Sequence, residues 1–494
     1  MTTRENFKDA AGEGRVDLKV AWYGEQIGTL HYNNGEMTWS REDTQAALLF
    51  RFPDEDDMPA FLKNLQPEGW LRGALGSPSQ ISYLRSGIRY LSNITIAEDE
   101  SFSKNRDPDQ LTSRLKDHTD GGVWFSGSYL GPRADSINND IEKEVAERAK
   151  FHGTPRMSGM QMKMPVALDS EGQIHHAMGG SFTHILKFGG TEEWRASELL
   201  EWMGLQLAGE AGLDVPAHAL VNVGESAPPA LLVERFDVPQ SADDQQRYLI
   251  QDMCTAARIK QEKSDINGLY KFSLSMEKVA KLFKEKVHDD NDPDALQKDL
   301  ENLYRKAVSS WAIRDGDMHL KNISFLKVQN PGEDDFTSTR LSPTYDTLNT
   351  SIFHEFGDDE AHHGALTING KKNKLKVSDF VKFGTESCGL SKDRSLDIFQ
   401  DIIEKTANRA VEIGANIPNS SAEGCPKCDY MVCRAVTDIV DRAKECTGEM
   451  ARKYEREMNF SADVSEWDNV YPEKKDKNHR RYRKIGQDPL VSKF

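Results

Sequence analysis

Hydrophobic side chains at Val16, Leu18, Val20 and Trp22 recur at every second position, the period of a half-buried strand. A second run, Gly28–Tyr32, reaches Asn33-Asn34-Gly35, a hairpin turn signal, and Met37–Trp39 can return from it. Phe61, Leu62 and Leu65 then predict an amphipathic helix ending near Pro67, and Ser92–Ala97 a closing strand. The first hundred residues therefore read as a small α+β unit. Residues 98–155 change character, with an acidic run at Glu98-Asp99-Glu100, glycines at 121, 122 and 127, and one or two helices, for example around Ile141–Ala149. From about residue 156 the pattern is strand-rich, with turns at Asp169–Gly172 and Gly189-Gly190. Leu199, Leu200, Met203, Leu207 and Ala208 form the stripe of a helix over Ser197–Ala211 that Gly212 can end, and Leu231–Phe236 reads as a strand.

From about 249 the periodicity is helical, most clearly over Ala295–Ile313, where Leu296, Leu300, Leu303, Ala307, Val308 and Trp311 share a face. A strand pair, Ile323–Val328 and Phe336–Leu341, flanks a turn-rich loop over 330–335, and helices follow at Leu396–Ile413 and Tyr430–Tyr454. The end is polar, and seven of the eleven residues Lys474–Lys484 are Lys or Arg. These shifts divide the chain at 1–100, 101–150 (a connecting region), 151–238, 239–455 and 456–494 (a basic tail). No internal repeat is present.

Composition narrows the function classes. In 494 residues, Lys+Arg 63 against Asp+Glu 80 gives a net charge of −17, so a generally basic nucleic-acid-coating surface is excluded and any basic partner site is local. Apolar runs such as Ala230–Val233 fall far short of the ~20 residues a membrane span needs. Met1–Arg15 carries no apolar signal core, and six cysteines are too few for a disulfide scaffold. The expected setting is a reducing cytoplasm with no membrane contact.

The stretch richest in chemistry is Arg314-Asp315-Gly316-Asp317-Met318-His319-Leu320-Lys321-Asn322, where an apolar-faced helix enters a polar loop that feeds a strand. Asp317 followed by Asn322 has the spacing of a protein-kinase catalytic loop, in which Asp accepts the substrate hydroxyl proton and Asn holds magnesium; Asp315 does not fit that spacing. The strand pair leads into Pro343-Thr344-Tyr345-Asp346, making Asp346 a candidate second metal ligand rather than a simple turn cap. Upstream, Thr183–Phe188 is a strand presenting Lys187, a point charge suited to nucleotide phosphates, and Glu201 follows fourteen residues later on the next helix, spaced to pair with it. Glu234, Arg235, Phe236 and Asp237 occupy a hinge position whose backbone could read adenine. The loop at Ser158 and Gly159 has one glycine, a poor Gly-rich loop by pattern, yet its amides could cover phosphates.

Ser-Gly-x-Gln-x-Lys at 158–163, Thr-His-Ile-x-Lys at 183–187, Val-Glu-Arg-Phe-Asp at 233–237, Gln251-Asp252-Met253-Cys254, Asp-x-His-x-Lys-Asn at 317–322 and Pro-x-Tyr-Asp at 343–346 together resemble the HipA-like serine/threonine kinases, toxins of bacterial toxin–antitoxin pairs. The resemblance spans about residues 16–455, with Phe61–Leu71 similar to that family's first helix. It implies an α+β fold: a two-lobed protein-kinase-like domain with a small N-terminal α/β subdomain and a mainly helical C-terminal lobe. It implies ATP and Mg2+, transfer to a protein Ser or Thr with aminoacyl-tRNA synthetases as the associated substrate class, and a helix-turn-helix antitoxin through which DNA is met only indirectly. Carried over by motif, Lys187 contacts ATP phosphates, Asp317 is the base, Asn322 and Asp346 bind magnesium, and His319 and Lys321 complete the catalytic loop. That family's loop usually carries an autophosphorylated serine two residues before Ser158; here that position is Arg156, so autophosphorylation is expected on Ser158 instead.

Two rival readings share these residues: a nucleotide-binding pseudokinase acting as corepressor with a DNA-binding antitoxin, and a small-molecule kinase of related fold. Cys425-Pro426-Lys427-Cys428 with Cys433 and Cys446 makes a partial zinc pattern, but four regularly spaced ligands are wanting and ordinary buried thiols are expected. The 474–484 tail is expected to be a solvated end in preference to a nucleic-acid contact.

Overall fold

The computed structural model describes residues 15–50, 59–63, 65, 69–76, 78–87, 89–98, 108–131, 140–150, 154–155, 157, 159, 161–177, 180–189, 196–224, 228–259, 268–287, 292, 294–353, 364–416 and 426–464. Arg156, Ser158, Cys425 and the basic 474–484 run lie outside the described residues.

The N-terminal unit is built as its alternation predicts. Strands β1 (Arg15–Trp22) and β2 (Glu25–Asn33) pair antiparallel, and Asn34 and Gly35 take φ of 49° and 96° to turn the chain into β3 (Glu36–Arg41), the paired positive φ that an Asn-Gly turn accommodates. Short helices α1 (Gln45–Leu49), α2 (Ala60–Lys63), α3 (Gly69–Ala74) and α4 (Gln80–Gly87) precede β4 (Ile94–Ala97), which closes a sheet of order β3-β2-β1-β4. Leu18, Val20, Trp22 and Tyr83 are buried beneath it. The single helix expected around Phe61–Pro67 is instead a four-residue α2 followed by a separate α3; a proline at 67 disfavours helical backbone at the residue before it.

The connecting region is more than a connection. Three two-residue strands, β5 (Thr119–Asp120), β6 (Trp124–Phe125) and β7 (Ser128–Tyr129), precede helix α5 (Asp140–Ala149) and lie at the two ends of an eight-stranded sheet. Its centre is β8 (Lys163–Leu168), β9 (Gln173–His176), β10 (His184–Lys187), β11 (His218–Val221) and β12 (Ala230–Glu234), in the order β5-β6-β11-β12-β10-β8-β9-β7. Helix α6 (Ser197–Glu210) packs between this sheet and the helical part of the chain, so that Trp202 and Leu205 are buried along with the predicted Leu199–Ala208 stripe.

The remainder is helical around a small sheet. Strand β13 (Arg247–Asp252) runs into α7 (Met253–Ala256), then come α8 (Met276–Lys286) and α9 (Ala295–Ala312). The hairpin β14 (Ser324–Gln329) and β15 (Ser338–Leu341) pairs with β13 in the order β13-β14-β15. Helices α10 (Val377–Lys382), α11 (Lys392–Ala415) and α12 (Pro426–Tyr454) complete this lobe. Tyr304, Phe283, Phe325, Phe380, Phe383 and Phe399 fill its core with essentially no exposure. β13 differs from the expectation of helix from about 249 up to the strand pair, because its pairing partner β14 is more than seventy residues away and leaves no local periodic signal. Cys446 is buried and its thiol donates to the Arg442 carbonyl at 3.2 Å. No described helix is long and apolar enough to cross a membrane.

Candidate active site

Two strands and one helix deliver the basic side of the site. β10 ends at Lys187, and antiparallel register sets Lys163 of β8 directly opposite it, so both lysines stand on one face of the sheet. The first turns of α6 bring Glu201 to the same place: the Lys187 ammonium donates to Glu201 Oε1 at 2.5 Å and also to Asp346 Oδ1. Lys187 and Glu201 are buried, at 4% and 2% exposure, while the Asp346 side chain is 34% exposed. Burial by itself would lower the Lys187 pKa, but Asp346 and Glu201 hold it above the usual lysine range. Burial would likewise raise Asp346, and Lys187 and Lys163 overcome it, keeping that carboxyl well below the ordinary range; Glu201 is pushed upward by burial. One buried cation between two carboxylates is the arrangement in which a lysine is both oriented and kept charged.

The acidic side comes from the end of α9. The chain leaves that helix through Arg314, whose φ of 60° is left-handed, and Thr350 N donates to its carbonyl at 3.2 Å. A tight loop follows. His319 N donates to the Asp317 carbonyl at 2.7 Å, and the Asn322 side-chain amide donates to the same oxygen at 2.8 Å. That bond orients Asn322 so that Oδ1 is the end free to meet a cation. The Asp317 carboxylate is 43% exposed and lies 3.8 Å from His319 Nε2, while the His319 ring packs edge-on to Phe272 at 5.5 Å between centroids. Lys321 lies close enough to lower the raised pKa of the half-buried Asp252, and its carbonyl accepts from Tyr345 Oη at 2.8 Å.

The β14–β15 hairpin then returns the chain to Asp346, which has a φ of 46°. Asn322 and Asp346 line one small pocket together with Lys306, Asp315, Thr344 and Tyr345. Asp317 does not line it, although its neighbours Asp315 and Met318 do. Among the described residues no cluster of three or more His, Cys, Asp or Glu could hold a metal. An amide oxygen and a carboxylate facing one pocket instead fit magnesium, a hard cation that takes one or two protein oxygens and completes its shell with phosphate and water. Asn322 and Asp346 are the residues that would hold it.

Sequence reasoning missed three members of this site. Asp315 is buried at 4% and accepts from Asp317 N at 2.9 Å and Thr347 Oγ1 at 3.1 Å; burial pushes its pKa up to about 7. Lys306, also 4% exposed, donates to Thr344 Oγ1 at 3.4 Å, and burial pulls it down to about 8 against the pull of Asp315 and Asp346. Its signal was present: a lysine three residues after Leu303 falls on the apolar face of α9, where an amine needs a partner. Lys163 closes the Ser-Gly-x-Gln-x-Lys run, but only strand register sets it beside Lys187.

The hinge differs in detail from expectation. Glu234 N donates to the Ala217 carbonyl and Arg235 N to the Thr183 carbonyl, so both amides belong to the sheet and cannot read a base. The Glu234 carboxylate turns to the connecting region, accepting from Leu115 N and Arg114 Nη2, each at 2.7 Å. Phe236 is the hinge residue on the site side, its ring 5.9 Å from that of Tyr345. Gly159 has a φ of 125°, a backbone conformation that a side chain would strain, and its backbone lies beside the Lys163 ammonium.

Comparison with known proteins agrees with this architecture. The HipA-like C-terminal domain family matches residues 156–410. A Sinorhizobium fredii (strain NBRC 101917 / NGR234) protein named "Putative kinase Y4dM" is 23% identical over 420 residues, covering 78% of this chain and 90% of that protein. Among solved structures, HipA of Shewanella oneidensis MR-1, determined with HipB and its operator DNA, superposes with a TM-score of 0.58 at 18% identity over 87% of this chain and 97% of that one. The fold is thus the two-lobed, kinase-like one, and the chain belongs to the HipA-like kinase family.

Proposed function

We propose that this chain is an ATP- and Mg2+-dependent serine/threonine protein kinase acting as the toxin of a toxin–antitoxin pair in the cytoplasm. The observation that carries this reading is the Lys187–Glu201 ion pair meeting Asp346 on the same pocket as Asn322. Lys187, helped by Lys163, binds and orients the nucleotide phosphates, and Glu201 fixes the direction of Lys187. Asp317 accepts the proton of the substrate hydroxyl as its oxygen forms a bond to the γ-phosphorus; the bond to the β–γ bridging oxygen breaks and ADP leaves. Asn322 and Asp346 would hold magnesium, which would supply charge neutralisation on the phosphates. His319 and Lys321 hold the loop that carries the base. Phe236 offers an apolar surface for the base of the nucleotide.

The Shewanella relative's assembly with HipB and operator DNA supports a DNA-binding, helix-turn-helix antitoxin as partner, and an aminoacyl-tRNA synthetase is the substrate class to try first. Ser158 is the proposed autophosphorylation site. Asp317→Asn should abolish transfer of label from ATP while nucleotide binding persists; comparing phosphopeptides from cells making the chain or this variant names the substrate. Retained transfer by the variant would remove Asp317 from its role, and nucleotide-dependent stabilisation of the unaltered chain without transfer would favour a pseudokinase.

A further inference from the structure

The base and the metal carboxylate sit on separate segments, Asp317 on the loop after α9 and Asp346 beyond the β14–β15 hairpin. Something must fix their spacing, because phosphoryl transfer tolerates little error in position. Besides the bond from Tyr345 Oη to the Lys321 carbonyl, two contacts join the segments on the side of the base. Asp315 takes Asp317 N on Oδ1 at 2.9 Å and Thr347 Oγ1 on Oδ2 at 3.1 Å, so a single carboxylate spans from the backbone of the base to the residue after Asp346. Thr350 provides the second contact: its Oγ1 accepts from Gly316 N at 2.8 Å while its own N donates to the Arg314 carbonyl at 3.2 Å. Asp315, Thr347 and Thr350 are 4%, 5% and 4% exposed, so water does not compete for these bonds.

Asp315 is itself held from behind. Its N donates to the Ser310 carbonyl at 2.9 Å, and Ser310 Oγ donates to its carbonyl at 3.3 Å. The clasp is therefore referenced to the last turn of α9, the rigid element on which the loop is built. Resting on the kinase reading above, we propose that Asp315, with Thr347 and Thr350, is a positioning clasp that sets the distance between the base Asp317 and the metal carboxylate Asp346.

The test uses the full chain with Thr347→Val, which removes the hydroxyl at nearly constant shape, and Thr347→Ser, which restores it. Three readouts are taken: kcat and KM for ATP, the Mg2+ concentration giving half-maximal binding of a fluorescent ATP analogue, and the melting midpoint. The clasp predicts that Thr347→Val lowers kcat on the order of 10-fold or more, leaves KM for ATP within about 3-fold, and raises the Mg2+ midpoint, while Thr347→Ser restores all three. Unchanged kcat and Mg2+ midpoint in Thr347→Val would overturn the proposal. So would equal damage in the Val and Ser variants, or losses that follow a lowered melting midpoint and not the hydroxyl. Failure of the unaltered chain to transfer phosphate would refute the kinase reading separately, and the Mg2+ midpoint would still judge the clasp.

Discussion

Replacing Asp109 with alanine should loosen the junction between the N-terminal unit, the connecting region and the hinge. Asp109 is 1% exposed and draws donors from three parts of the chain: Arg89 from the N-terminal unit, Phe182 N at 2.8 Å ahead of β10, and Arg235 from the hinge at 3.1 Å. Asn93 brackets its backbone, donating to the carbonyl at 3.2 Å and accepting from the amide. Arg235 is equally buried and lies 4.2 Å over the Phe182 ring, with Asp237 as its second carboxylate at 2.9 and 3.0 Å. Alanine removes the one negative charge shared by two buried guanidinium groups and takes the acceptor from the Phe182 amide. Removing one partner of a buried ion pair costs about 3–5 kcal/mol. Arg235 keeps Asp237, so about 4 kcal/mol is expected here, and a loss of similar size for Asp109→Asn, which keeps only one of the two acceptor oxygens and turns an amide NH2 toward a donor. With a denaturant slope of about 3 kcal/mol/M, the urea midpoint followed by tryptophan fluorescence should fall by about 1.3 M for alanine. A midpoint within about 0.2 M of the unaltered chain, at unchanged slope, would refute the view that this carboxylate joins the three parts.

Three further outcomes follow from the same structure. Glu201→Gln should lower kcat on the order of 100-fold with a small change in melting midpoint, because Lys187 keeps Asp346 as counter-ion; steady-state kinetics beside a thermal melt separates the two effects. Asp299 is 3% exposed, and burial raises its pKa from 3.8 to about 6, against the Leu341 amide that donates to it at 3.0 Å. The folded state therefore binds the proton more tightly than the unfolded one, so stability from this group is present below pH about 4 and lost as pH rises through about 6. Asp299→Asn should stabilise the chain at pH 7 by at most about 3 kcal/mol and gain nothing at pH 4, as denaturation at several pH values would read. Phe399→Ala should cost about 3–5 kcal/mol, since that ring is fully buried against Trp311 and Phe380 at 5.9 and 5.6 Å; equilibrium denaturation checks it.

How much of this was readable beforehand depends on the range of the interaction. The β1–β3 meander, the helices α6, α9, α11 and α12 and the β14–β15 hairpin all announced themselves, because alternation, a 3.6-residue stripe and an Asn-Gly turn are signals written within a dozen residues. The Asp317–Asn322 spacing and the strand–Lys187–helix–Glu201 order are equally local. The short β5, β6 and β7 were illegible, since two residues cannot show a period, and β13 had no signal apart from its distant partner.

By itself, the sequence determined which segments could be helix or strand, and which polar residues were too suggestively spaced to ignore. Only the tertiary structure decided which charges meet. Strand register put Lys163 opposite Lys187, burial drew Lys306, and Asp315 which spacing had set aside, into the pocket, and the packing of three separate stretches made Asp109 a shared counter-ion. The reason is electrostatic: a charge at the surface is screened and indifferent to its neighbours, whereas one taken out of water must find its partner, and that partner is set by the fold and not by its place along the chain.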